Sequence, residues 1–159
     1  EGVENSRIVL LHEAFHQYIF YSAGDVAPHS WFNEGTGDFF SGANIKGRRV
    51  SSIGTNPWRL KLIKTVVEDR PELIVPFPDI MGFEQSDFYR GSRRSICYAQ
   101  AWSMIYFLRT SREVRDHEQW SQLLTKYFDS LKLEYGERMK ALGDEPVATF
   151  RLTISMKSK

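Results

Sequence analysis

Apolar positions in this chain recur mostly at the three-and-four spacing of helices. Ile8, Leu11, Phe15 and Ile19 share one helical face. Asn5 and Ser6 can cap the helix that carries them, and Ala23-Gly24 is a natural end for it. A second, short amphipathic helix is predicted after Pro28 and His29, with Phe32, Gly35, Phe39 and Phe40 on its apolar side. Gly35 and Gly37 lower its intrinsic propensity and invite a neighbouring backbone to come close. The segment Ala43 to Ile53, with Lys46-Gly47-Arg48-Arg49 at its middle, fits a small hairpin or an irregular excursion. Pro57 suits a helix first turn, and Leu60, Ile63, Val66 and Val67 trace a face that ends before Pro71. After a Pro-rich loop through Pro78, residues Asp79 to Arg90 read as one or two short helices. Ser95 to Thr110 is a long helix with Tyr98, Ala101, Trp102, Ile105 and Leu108 inward. Another helix is predicted from Asp116 to Leu131, burying Trp120, Leu123, Leu124, Tyr127 and Phe128, and a further short one from Glu134 to Leu142. Thr153 to Lys159 receive no assignment. The expected fold is mainly α, α+β at most, in one domain without repeats or low-complexity stretches.

Composition narrows the chemistry. The 159 residues, 42% hydrophobic and 26% charged, suit one compact core. Twenty-one Lys and Arg against twenty Asp and Glu leave a net charge of +1, which gives no broad footprint for nucleic acid or an anionic membrane. The longest apolar run, Met104 to Leu108, falls far short of the roughly 20 residues a transmembrane helix needs. Cys97 is the single cysteine, so neither an internal disulfide nor a cysteine-rich zinc module can form, and a metal site must use His and carboxylates. The chain opens at Glu1 without a basic and apolar leader, and is expected to be a piece of something longer. Compartment stays open, because a secreted or cell-envelope protein with its signal peptide removed would look the same. Oligomeric state has no signal here.

His12-Glu13-Ala14-Phe15-His16 is an H-E-x-x-H sequence in the middle of the first predicted helix. Residues four apart share a face, so both imidazoles can aim at one ion about 2 Å away, and Glu13, one position round, can reach water on that ion without ligating it. The plainer alternative is a pair of partly buried, satisfied histidines. Catalytic zinc takes three protein ligands and keeps a fourth position open, so a third ligand must follow. Glu34 is the candidate: seventeen residues separate it from His16, enough for the first helix to finish and a second to return past the metal. A carboxylate flanked by Trp31, Phe32, Phe39 and Phe40 needs a partner, which a divalent cation supplies. Its alternative is an exposed acid at a helix N-terminus.

HEAFH followed by WFNEG resembles the gluzincin metallopeptidases, including the aminopeptidase N and thermolysin-like families; in the aminopeptidases the second string reads W-L-N-E-G after one more residue. HEAFHQ, P-x-x-WFNEG and YAQAW at Tyr98 to Trp102 resemble most closely a largely uncharacterised bacterial family of H-E-x-x-H peptidases. The resemblance covers about Ile8 to Phe128 and implies a zincin-like helical catalytic domain, with the H-E-x-x-H helix packed on a second ligand-bearing helix. It implies one zinc per chain on His12, His16 and Glu34. Glu13 is then the general base that takes a proton from the attacking water and passes it to the leaving amine. Asp38, four residues after Glu34, matches an Asp that in thermolysin-like enzymes orients the first zinc histidine, although a solvated helix acid would look alike. Tyr98 matches the aminopeptidase tyrosine that opens the Y-E-K-G helix and supplies an oxyanion donor; a core tyrosine is the alternative.

Arg90, Arg93 and Arg94 ahead of that helix could meet a substrate carboxylate or form a solvated loop. His29 could be a donor near the metal or a surface loop histidine. Cys97, and Met104 with Trp102, Tyr106 and Phe107, read as packing. Two departures stand out. Gly2-Val3-Glu4-Asn5 looks superficially like the aminopeptidase G-x-M-E-N sequence, but only six residues separate it from His12, so exopeptidase specificity is not supported. Almost nothing precedes the first helix, so the upstream edge strand with which zincins pair extended substrate is expected to be missing from the chain or supplied by a lost N-terminal part. The expected function is hydrolysis of peptide bonds in a peptide or protein substrate. The competing expectation is a catalytically silent zincin-like binding or structural module.

Overall fold

The computed structural model describes residues 2–142; the unassigned tail, Thr153 to Lys159, lies outside them. The fold is mainly α. Its elements in chain order are α1 (Gly2–Ala23), α2 (Ser30–Ser41), β1 (Ala43–Lys46), β2 (Arg49–Ile53), α3 (Pro57–Asp69), α4 (Phe77–Gly82), α5 (Gln85–Phe88), α6 (Arg94–Thr110), α7 (Arg112–Asp116) and α8 (Leu123–Leu142). Short 3₁₀ turns at Pro71–Leu73, Gly91–Arg93 and Trp120–Gln122 join several of them.

α6 packs against both α2 and α3. Ala99 and Ala101 are wholly buried beside Trp102 and Ile105, and small side chains let α2 and α3 pack on either side. At Gly35 of α2 an added Cβ would stand 2.6 Å from the Ala101 carbonyl oxygen, so the α2–α6 contact is backbone against backbone. The core then gathers Phe15 and Ile19 of α1, Trp31, Phe32 and Phe39 of α2, and Phe88 from α5. Gln100, 2% exposed, holds the Pro-rich loop: its Oε1 accepts from the Val75 N–H (3.1 Å) and its Nε2 donates to the Val75 carbonyl (2.5 Å). Both polar ends of the amide are thereby satisfied in a place where an unpaired one would cost about 1–3 kcal/mol.

Several boundaries differ from expectation, each for a local reason. Helical backbone already runs through Gly2, so Asn5 and Ser6 lie inside α1 and cannot cap it. The end at Ala23 is as predicted: Gly24 takes a left-handed φ of 58° and its N–H reaches the Phe20 carbonyl at 2.8 Å. The Ala43 to Ile53 excursion is an antiparallel hairpin with a register irregularity between Asn44 and Ile45. On α3 the Asn56 side chain caps the Arg59 N–H at 3.2 Å, and Val66 is buried while Val67, one step round the helix, faces out.

The predicted Asp116 to Leu131 helix is cut differently. Ser111 caps a short α7, the chain turns extended at His117, and α8 then runs unbroken from Leu123 to Leu142, absorbing the separate helix expected from Glu134. His117 causes the break. Its Nδ1 accepts from the N–H groups of Gln119 and Trp120 (3.2 and 3.3 Å), and its ring stacks on the Trp120 indole at 4.0 Å. Trp120 and Leu123 therefore stay exposed, and the buried stripe of α8 centres on Leu131 with Leu124, Tyr127 and Phe128 half-buried.

Helix propensity alone would make Gly35→Ala stabilising by about 1 kcal/mol. The Ala101 carbonyl cannot yield as a side chain would, so we expect the opposite sign, a destabilisation of roughly 1–3 kcal/mol in denaturant unfolding.

Candidate metal centre

α1 stacks His12 and His16 one turn apart, their rings edge to face with centroids 4.6 Å apart. α2 carries Glu34 back past them, only 5% exposed. Its Oε2 lies 3.1 Å from His12 Nε2 and 3.7 Å from His16 Nε2, and one donor atom from each of the three residues falls within 4.8 Å of the others. Such a group can hold a metal ion.

Each member is also held from behind. His12 presents Nδ1 to Asp38 Oδ1 at 3.3 Å, which leaves Nε2 for the cluster. His16 Nδ1 meets Asn33 Oδ1 at 3.0 Å. The Tyr89 hydroxyl donates to Glu34 Oε1, leaving Oε2 turned towards the histidines. Asp38 in turn accepts from Arg59 Nε at 2.6 Å and Nη2 at 3.4 Å, and the Arg59 guanidinium lies over the Tyr98 ring, 4.8 Å from its centroid. Gly37, between Glu34 and Asp38, lies against the His12 imidazole: an added Cβ would stand 2.9 Å from two of its atoms.

The electrostatics follow from that packing. Burial works against a charged His12, but Asp38 and Glu34 outweigh it and raise the imidazole to about 9. Glu34 raises His16 too, against the effect of burial. Burial would lift the Glu34 carboxyl, yet hydrogen bonds from His12, His16 and Tyr89 hold it far below the ordinary carboxylate range. The Tyr89 phenol is pushed up by burial and by the adjacent Glu34 charge. The field that favours protons on the histidines is the field a divalent cation would meet on displacing them.

A cleft of about 360 Å³ opens beside the cluster, walled by α1, α2, α3 and α6. His12 and Glu13 reach it from α1, Asp38 from α2, Arg59 from α3 and Tyr98 from α6. Four of the residues singled out in the sequence, His12, Glu13, Asp38 and Tyr98, line this cleft, and His12 also joins His16 and Glu34 in the cluster. Glu13 is exposed towards the cleft; Tyr98 is half-buried, with its phenol raised by burial first and then by the Glu34 charge. Among the three arginines, Arg94 reaches the cleft wall, while Arg90 pairs with Asp87 at 3.4 Å. His29 is engaged elsewhere: its N–H donates to the Tyr127 hydroxyl (2.9 Å), tying the start of α2 to α8. Cys97 is wholly buried core, and Trp102 packs on Tyr106 as expected.

Sequence reasoning missed Arg59, Tyr89 and Asn33. Asn33 sits inside the WFNEG string and could have been noticed as the only short polar side chain beside Glu34. Arg59 and Tyr89 carry no such signal, since they approach across 21 and 55 residues of chain.

These features define a mainly helical fold with a half-buried His₂Glu cluster beside a cleft. Residues 8–119 match the family described as "Protein of unknown function (DUF1570)", and the chain belongs to that family. The matched span contains the cluster, its supporting residues and the cleft, and ends before α8. No curated protein and no solved structure matches the chain.

Support from behind a metal ligand usually changes affinity 10- to 100-fold when removed. For whichever divalent ion this group can hold, we therefore expect Tyr89→Phe and Gly37→Ala each to weaken binding by about tenfold or more in a competition titration with a chromogenic chelator. The first loses the hydroxyl that orients Glu34, and the second pushes on the His12 ring.

Proposed function

We propose that this domain is a zinc-dependent peptidase of gluzincin type, in which His12, His16 and Glu34 hold the ion and Glu13 is the general base. One observation carries the reading. Nitrogen and oxygen donors about 2.0–2.2 Å from a tetrahedral ion stand roughly 3.3 Å from one another, and the separations from Glu34 Oε2 to the two histidine Nε2 atoms, 3.1 and 3.7 Å, bracket that value. Two imidazoles and one carboxylate are a donor set suited to zinc, with room for a fourth ligand. The Asp38 contact to His12 Nδ1 adds the outer carboxylate that typically fixes the tautomer of a ligating histidine.

Zinc bound there would polarise a substrate carbonyl and bring the pKa of water towards neutrality. The chain's own groups divide the remaining tasks. Glu13, in the cleft and off the ligand face of α1, takes a proton from the attacking water and returns it to the leaving amine. Tyr98 stays protonated because burial and the Glu34 charge oppose its ionisation, so it can donate to the oxygen on which charge develops. Arg59 is a positioning residue: it fixes Asp38 by two hydrogen bonds and Tyr98 by its face, linking the orientation of His12 to that of the oxyanion donor.

Metal analysis should give about one zinc per chain, and His16→Ala should lose it; full zinc in that variant would overturn the ligand set. Glu13→Gln should keep zinc while cleavage of a mixed peptide library falls about 100-fold or more. If the zinc-loaded native domain leaves the library intact, the silent binding module becomes the better reading.

A further inference from the structure

We propose that Arg94 makes this cleft selective for peptides bearing a carboxylate within about two residues of the scissile bond; the inference rests on the peptidase reading of the site. Arg94 is exposed and lines the same cleft as Glu13 and Tyr98. Two arginines line this cleft, Arg59 and Arg94, and only the first is ion-paired. Arg59 is held by Asp38 and Arg90 by Asp87, whereas Arg94 has no ion-pair partner among the described residues.

Helix stability does not account for an arginine in this place. Arg94 is the first residue of α6, preceded by Arg93 at the cap, and the first turn contains no acidic side chain. Cations at that end oppose the helix macrodipole. The position is therefore locally unfavourable and leaves a planar, five-donor group free at the cleft wall, suited to grip a carboxylate through two parallel hydrogen bonds.

Register follows from the helix. Arg94 and Tyr98 are four residues apart and so share a face, about 6 Å apart along the axis. Extended peptide advances about 3.3–3.6 Å per residue. With the scissile carbonyl at Tyr98, the group that meets Arg94 lies one or two residues away. Trp58 and Val9, 57% and 56% exposed, line the same cleft and give the intervening side chain an apolar wall. Two sources of carboxylate fit, an Asp or Glu side chain and the substrate's own C-terminus.

The test uses the zinc-loaded domain and blocked hexapeptides with one Glu moved through each position, each made with a free and with an amidated C-terminus. A preference of about tenfold or more in kcat/KM is expected for peptides with a carboxylate near the cut. A preference that follows Glu identifies the side chain, and one that follows the free terminus identifies the C-terminus. Arg94→Ala should reduce the ratio of carboxylate-bearing to neutral cleavage to near one, Arg94→Lys should keep part of it, and Arg94→Glu should invert it towards Lys-bearing peptides. An unchanged ratio in Arg94→Ala would overturn the proposal while leaving the peptidase reading intact. Binding to the zinc-loaded Glu13→Gln protein, followed by fluorescence anisotropy of labelled peptides, separates the two claims. Arg94-dependent binding without any cleavage by the native domain would retain the recognition and defeat the peptidase reading, and binding indifferent to Arg94 would defeat the recognition.

Discussion

The rest of the structure depends on one buried carboxylate. Glu34 is 5% exposed among Trp31, Phe32 and Phe39, where an uncompensated charge would cost several kcal/mol even after relaxation. Compensation comes from α1 through two imidazoles and from the residue after α5 through the Tyr89 hydroxyl. Those partners can reach it only if α1, α2 and the end of α5 keep a fixed relation. Two glycines that follow Glu34 permit this: Gly35 lets the α6 backbone close in, and Gly37 makes room for the His12 ring.

Polar support spreads outward from that charge. Asn56 caps α3, the cap sets where Arg59 leaves the helix, Arg59 grips Asp38, and Asp38 orients His12. Each link satisfies a buried or half-buried polar group, and the chain runs from α3 through α2 to α1. Stability alone does not call for such a chain, because well-packed apolar side chains often stabilise as well as a buried ionic network does. Its physical value lies in holding geometry. Side chains fixed by their outer atoms keep their inner atoms aligned.

Much of this was legible in the sequence because it is local. His12, Glu13 and His16 declare themselves by helical spacing, and Glu34 by an acidic residue in an aromatic string. Helices α1, α3 and α6 follow from apolar periodicity and from Gly24 and Pro57 at their ends. What could not be read depends on tertiary approach. Tyr89 belongs to a segment that reads only as short helices, and nothing nearby shows that its hydroxyl meets a carboxylate 55 residues earlier. Arg59 likewise looks like any helix-surface arginine. At His117 the failure was of another kind: apolar spacing favoured one helix, while an imidazole accepting two backbone N–H groups favoured a break.

The hairpin between α2 and α3 is closed at its neck by the Gly54 N–H donating to the Gly42 carbonyl at 2.8 Å. Both helix ends are thereby fixed to each other before the strands begin, and the strands themselves are largely exposed. Lengthening a loop whose ends are already joined adds little closure entropy, about 0.6 kcal/mol per doubling. The excursion beyond the neck is thus mechanically separate from Asp38 on one side and Arg59 on the other. Gly47-Arg48 at its tip is a natural place to insert a fluorophore tag or a surface anchor, or for related chains to differ in length, without disturbing His12, His16 and Glu34.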